Sequence, residues 1–137
     1  MISSSVSSAA STATILLIDD QAEVVQRLTA MLASAGYRWD VAADDRSATD
    51  LALKLHPDLI LCDINLHGVN GIELCQQLKQ LDGMAEVPTL FLSSAQSPDI
   101  IRRAHAWYVR KLLDPQVILK LIEQELAEVA GRQLAHA

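Results

Sequence analysis

The sequence predicts an α/β domain: a doubly wound parallel sheet of five strands with helices on both faces. Three observations carry that reading. Apolar runs of strand length alternate with helix-period segments along the chain. The strongest runs are continuous rather than alternating, as strands buried on both faces require. Three of them end on oxygen-bearing side chains, which an open sheet gathers along one edge.

The elements follow in order. "ILLI" (15–18) is a first strand that runs into Asp19 and Asp20. Val24, Val25, Leu28, Met31 and Leu32 form a helical stripe with Gly36 as its C-cap. "RWDVA" (38–42) is a weaker strand that mixes polar and apolar residues. Ala48, Leu51, Ala52 and Leu55 give a second helix, stopped before Pro57. "LILC" (59–62) is the third strand and runs into Asp63. Leu74, Cys75, Leu78 and Leu81 give a third helix, ending at "DG" (82–83). "TLFL" (89–92) runs into Ser93 and Ser94. "SPDIIRRA" (97–104) opens a fourth helix with Ser97 as N-cap and Pro98 in the first turn. "WYVRK" (107–111) is the fifth strand. "DPQVILKLIEQELAEVAG" (114–131) is the strongest helix signal, with Val117, Ile118, Leu121, Ile122, Leu126 and Val129 on one stripe. Strand–helix alternation of this kind means parallel strands joined by right-handed crossovers.

A chain of 137 residues holds one such domain. The reading divides it into a flexible Ser/Ala-rich tail (1–13), the domain (14–131) and a C-terminal tail (132–137). Half of the residues are apolar and only 4% aromatic, so the core is aliphatic. A net charge of −6 and a pI near 5.0 argue against direct nucleic-acid binding. The locally basic "IRRAHAWYVRK" (101–111) then reads as a solvated face. Cys62 and Cys75 lie within apolar patterns, which suggests reduced, buried thiols and a cytoplasmic setting. No segment reaches the length of a membrane span, and the opening "MISSSVSSAASTAT" lacks the features of a secretory signal. The four histidines show no ligand spacing, which disfavours zinc.

The chemistry lies at the strand ends. If strands one, three and four are central, Asp19, Asp20, Asp63 and Ser93 converge on one crevice, and Lys111 joins them from the fifth strand. Three carboxylates in one place repel each other unless a cation is present or their pKa values shift. Carboxylate, carbonyl and water oxygens suit Mg²⁺, which commonly partners a phosphate. A metal, a nucleophilic carboxylate, a lysine and a hydroxyl together form a phosphoryl-transfer site. Singly, each residue has a plainer reading: Asp19 or Asp20 as cap of the first helix, Ser93 as a strand-end hydroxyl, Lys111 as surface, and Tyr108 with Trp107 as packing.

"ILLIDDQ" (15–21), "LILCDINLHGVNGIEL" (59–74), "VPTLFLSS" (87–94) and "YVRK" (108–111) resemble the receiver domains of two-component response regulators, the CheY-like family. The resemblance covers roughly residues 14 to 130 and implies a flavodoxin-like sheet with strand order 2-1-3-4-5. It implies that Asp63 is the phospho-acceptor, and that Asp19, Asp20, Asp63 and the backbone carbonyl of Asn65 hold Mg²⁺. It further implies that Ser93 and Lys111 contact the phosphoryl group and that Tyr108 is the switch aromatic. The phosphoryl donor would be a sensor histidine kinase or a phosphotransfer protein. The output would pass through the face of the fourth helix, fifth strand and fifth helix to a downstream protein, or to an output domain in a longer chain. A homodimer is left open. Such a domain turns over no external substrate; it catalyses only its own Mg²⁺-dependent phosphorylation and dephosphorylation.

The sequence departs from that pattern in three places. Leu112 follows Lys111 where Pro is usual, so a cis bond there would cost roughly 2.5–4 kcal/mol and a trans peptide is expected. The stretch from Ser93 to Lys111 is about one helical turn shorter than the resemblance implies, which shortens the fourth helix. His67 and Ser94 stand where Pro and Ala are common. Two rival readings follow. One is a degenerate, receiver-like interaction module that does not switch by phosphorylation. The other is a phosphatase of the haloacid-dehalogenase type, which needs an Asp where this chain has Asn65.

Overall fold

The computed structural model describes residues 13–66, 68–93, 107–110 and 115–135. Strands β1 (Thr14–Ile18), β2 (Arg38–Ala42), β3 (Leu59–Asp63), β6 (Thr89–Ser93) and β7 (Trp107–Arg110) form one parallel sheet in the order β2-β1-β3-β6-β7. Helices α1 (Ala22–Ser34), α2 (Asp45–Leu55), α3 (Gly71–Leu78) and α4 (Pro115–Ala135) connect and cover it. A two-stranded antiparallel pair, β4 (Asn65–Leu66) and β5 (Val69–Asn70), sits between β3 and α3.

Side chains on a strand alternate between its two faces, so a continuously apolar strand feeds two cores. Leu16, Ile18, Ile60 and Cys62 pack on one face with Ala48 and Ala52 of α2 and Leu74, Cys75 and Leu78 of α3. Ile15, Leu17, Leu59 and Leu61 pack on the other with Leu28, Met31 and Leu32 of α1 and Ile118 and Ile122 of α4. β3 is buried along its whole length, including Asp63. β2 lies at the sheet's margin, and its first three residues are exposed.

Local chemistry sets the helix ends. Asp44 and Ser47 form a reciprocal capping box at α2, with Asp44 Oδ1 2.8 Å from Ser47 N. Hydrogen bonding to Ser47 lowers the Asp44 pKa. His56 closes α2 in the left-handed region at φ 48°, a conformation that costs a side chain with a Cβ. Asn70 caps α3 by accepting from Ile72 N and Glu73 N at 2.8 and 3.2 Å.

Two expectations need correction, and one feature is additional. The C-terminal tail assigned to 132–137 is helical through Ala135, because α4 runs on past Gly131. One Gly in a helix costs only about 1 kcal/mol, and the flanking Ala130, Arg132 and Gln133 favour the helix. The third helix ends at Leu78 rather than near "DG", and turns carry the chain through Gly83 at φ 81°. The β4–β5 pair was not foreseen, since two-residue strands give no periodicity. The fourth helix (97–104), His67, Ser94, Lys111 and the Lys111–Leu112 peptide lie outside the described residues.

Candidate functional site

Sheet register brings the carboxylates together. Ile18 pairs with Cys62, so the residues that follow, Asp19 and Asp63, lie at adjacent strand ends. Asp19 and Asp63 are each only 1% exposed, and Asp20 is half-buried. One carboxylate oxygen from each of the three lies within 4.8 Å of the others.

Backbone donors orient two of these groups. Asp19 Oδ1 accepts from Gln21 N at 2.9 Å, and the Asp19 amide donates to Ala42 O at 3.0 Å, tying the first acidic residue to β2. Gln21 is the N-cap of α1 and forms no side-chain cap bond. Through this bond Asp19 holds the residue just before the helix. Asp63 Oδ1 accepts from Asn65 N at 3.1 Å. With its amide turned to Asp63, Asn65 can serve a cation through its carbonyl alone on the main chain.

The donor set fits a small hard cation. All three candidate ligand atoms are carboxylate oxygens, two of them shielded from bulk water. Oxygens gathered this closely could share one such ion, directly or through a bridging water. Asp19, Asp20 and Asp63 would hold the ion, with Asn65 O beside them.

Two further residues shape the site. A Cβ built on Gly71 would lie 2.0 Å from Asp63 O and 3.0 Å from Ile64 Cα, far inside van der Waals contact. Gly71 N donates to Ile64 O at 2.7 Å. Glycine is therefore what lets α3 start directly against the backbone that carries Asp63. Beneath it, Cys62 Sγ lies 3.3 Å from Asp63 O and 3.8 Å from Gly71 O. Contact with Cys75 and burial push the Cys62 thiol well above its ordinary value, so it stays protonated. Both cysteines are free and buried, as the sequence suggested. Neither Gly71 nor Cys62 was singled out as a site residue. The "NG" before an apolar helical stripe signals a cap, but a close approach between distant backbones leaves no sequence mark.

The remaining site residues divide. Ser93 ends β6 one position past Leu92, the register partner of Asp63, and so reaches the same edge. Tyr108 pairs with Phe91 in β7, further from that edge. Lys111 follows Arg110, the last residue of β7, and lies outside the described residues.

A doubly wound parallel sheet with a carboxylate cluster at its C-terminal edge defines a class of α/β domain that binds ligands at strand ends. Residues 15–123 match the family model of the response regulator receiver domain, and the chain belongs to that family. It is 36% identical over 80 residues to the DNA-binding dual master transcriptional regulator RpaA of Synechocystis, covering 58% of this chain and 33% of that protein. It is 29% identical over 116 residues to the DNA-binding response regulator MtrA of Mycobacterium tuberculosis, covering 82% of this chain and 50% of that protein. The chain thus spans half or less of the length of these curated relatives. Among solved structures, chemotaxis protein CheY4 of Vibrio cholerae is similar with a TM-score of 0.77 and 27% identity, covering 82% of this chain and 98% of that one. A CheY-like receiver domain protein of Methanospirillum hungatei shares the fold at TM-score 0.80 and 22% identity, covering 88% and 98%.

Proposed function

We propose that this receiver domain accepts a phosphoryl group on Asp63 from a phosphohistidine of a sensor kinase or phosphotransfer protein. The observation that carries the proposal is the carboxylate cluster, with buried Asp63 on the central strand and Asp19 and Asp20 beside it within 4.8 Å. A carboxylate oxygen of Asp63 attacks phosphorus; the P–N bond breaks, and its electron pair returns to the imidazole nitrogen, which takes a proton from solvent. The product is an acyl phosphate. Water later attacks phosphorus, the P–O bond to Asp63 breaks, and the carboxylate and inorganic phosphate are restored.

Mg²⁺ held by Asp19, Asp20, Asp63 and Asn65 O would neutralise charge on the transferring oxygens. The Asn65 amide steers the Asp63 carboxylate by holding Oδ1. Ser93 and Lys111 bind the phosphoryl oxygens once the site is charged, and Tyr108 is the switch aromatic. Phosphorylation adds about −1.5 to −2 charge, which draws donors inward. A contact that differs between two conformations shifts their balance.

The output is a downstream protein or an output domain of a longer chain, reached through the face of the fourth helix, β7 and α4. Relatives named as DNA-binding regulators, of whose length the matched stretch covers half or less, favour an output domain. Among the described residues no helix is long and apolar enough to cross a membrane, and the two free, buried thiols favour a reducing, cytoplasmic setting.

The test is intact mass after incubation with acetyl phosphate and Mg²⁺. The chain should gain the mass of one phosphoryl group and lose it again on standing, whereas Asp63→Asn should gain nothing. A parent that gains no mass would establish the non-switching interaction module instead.

A further inference from the structure

We infer that the Cys62 thiol is a positioning residue for Asp63: it clamps the backbone that carries the acceptor carboxylate to the first turn of α3. The inference rests on the reading of Asp63 as phospho-acceptor, and it concerns a group that the proposed phosphoryl chemistry leaves unused.

The argument starts from where β3 stops. Its last residue is Asp63, and the chain then turns into β4 while α3 returns against it. At this turn, Asp63 O lies in a narrow space. Gly71 closes it from the helix side, where a Cβ would come within 2.0 Å. Cys62 Sγ closes it from the core side at 3.3 Å, and the same sulfur is 3.8 Å from Gly71 O. A protonated thiol carries one donor; it faces both carbonyls, and Cys75 is a further hydrogen-bond partner from α3. Valine or leucine would fill the space and suit a buried strand, but neither would donate.

The next links run to the carboxylate itself. Gly71 N holds Ile64 O at 2.7 Å, and Asn65 N holds Asp63 Oδ1 at 3.1 Å. The carbonyls of residues 63 and 64 and the side chain of 63 are thus fixed within one short stretch of chain. Releasing the 63–64 peptide would turn both the Asp63 carboxylate and the Asn65 amide that steers it. Small misplacements of a reacting group lower the rate steeply. Cys75 touches the Cys62 thiol from α3, yet the short contact to Asp63 O belongs to Cys62. Removing Cys75 should therefore loosen packing without releasing the clamp.

The experiment uses the full chain as parent, Cys62→Val, Cys62→Ser and Cys75→Ala, with two readouts beside melting temperature. One is the rate of mass gain from acetyl phosphate and Mg²⁺. The other is the amide proton shift of Asn65 by NMR in the absence of both. Cys62→Val should slow phosphorylation about two- to fivefold, the scale of one lost hydrogen bond, and should move the Asn65 amide upfield. Cys62→Ser keeps a donor and should restore both readouts to within twofold of the parent rate and close to the parent shift. Cys75→Ala should melt earlier while keeping both. The inference is overturned if Cys62→Val matches the parent, if Cys62→Ser fails as Val does, or if Cys75→Ala slows the reaction equally. If the parent takes no phosphoryl group, the acceptor reading falls, and the Asn65 shift still decides whether Cys62 holds the segment.

Discussion

Neutralising one carboxylate of the cluster should stabilise the domain without a divalent ion and cost it stabilisation when Mg²⁺ is present. Asp20→Asn is the clearest perturbation, because Asp20 is half-buried and an amide there can still reach water. Two unit charges 4.8 Å apart repel by about 3.5 kcal/mol at an effective dielectric near 20. Asp20 faces two such partners, but solvent and salt screen a partly exposed group, leaving about 1–2 kcal/mol. For a domain of this size that is about 3–8 °C in melting temperature. Mg²⁺ at twenty times its dissociation constant should add about 1.8 kcal/mol to the parent, and less to the variant, which has lost a ligand.

Thermal unfolding followed by circular dichroism checks both signs. With EDTA the variant should melt above the parent, and high salt should shrink the gap as the Debye length falls towards about 3 Å at 1 M. With Mg²⁺ the gap should narrow or reverse. If Asp20→Asn melts below the parent in EDTA, or if Mg²⁺ lifts both proteins equally, Asp20 neither repels its neighbours nor shares an ion with them.

Three other outcomes follow from single positions. Gly71→Ala should destabilise by about 1–3 kcal/mol, as overpacking does, and should weaken Mg²⁺ binding in calorimetry, because a Cβ 2.0 Å from Asp63 O forces that backbone aside. His56→Gly should raise the melting temperature, with a gain of about 0.5–1 kcal/mol, since His56 sits at φ 48° and glycine adopts that conformation freely. Burial, helped by the charge of Glu123, raises the Tyr37 phenol above its ordinary value near 10. The folded state then holds that proton longer than the unfolded chain, so stability falls from about pH 10 upward. Tyr37→Phe should flatten that alkaline limb in pH-dependent unfolding, and an unchanged slope would refute the assignment.

Much of this architecture was legible because two-sided burial writes a simple signal. "LILC" and "ILLI" are too apolar and too short for surface elements, and both became buried strands. The acidic residues after them could be placed on one edge from topology alone. What was hidden depends on contacts between distant segments. The Gly71 approach to Asp63 O and the Cys62 thiol beneath it arise from the angle at which α3 meets β3, and sequence spacing does not encode that angle. The end of α4 was misplaced for a different reason. Gly131 reads as a stop by local rule, yet the helix formers around it carry the helix on.

The cluster is a consequence of register, and register is set far from the chemistry. A slip of one residue between β1 and β3 would turn one strand's set, Leu16 and Ile18 or Ile60 and Cys62, to the opposite core and would part Asp19 from Asp63. Both cores are aliphatic, so side-chain shape rather than polarity opposes that slip along the pair. At the opposite end of the strands, Thr14 N donates to Asp58 Oδ2 and Asp58 N donates to Thr14 O, both at 2.8 Å, a reciprocal clamp that a slipped pairing could not form. At the site end, Gly71 N on Ile64 O fixes where β3 must stop. Pinned at both ends, β3 has one way to deliver Asp63. The acidic crevice is then held open by the two aliphatic cores on either side of the sheet, which is why a chain commits its most apolar strand to carrying a single carboxylate.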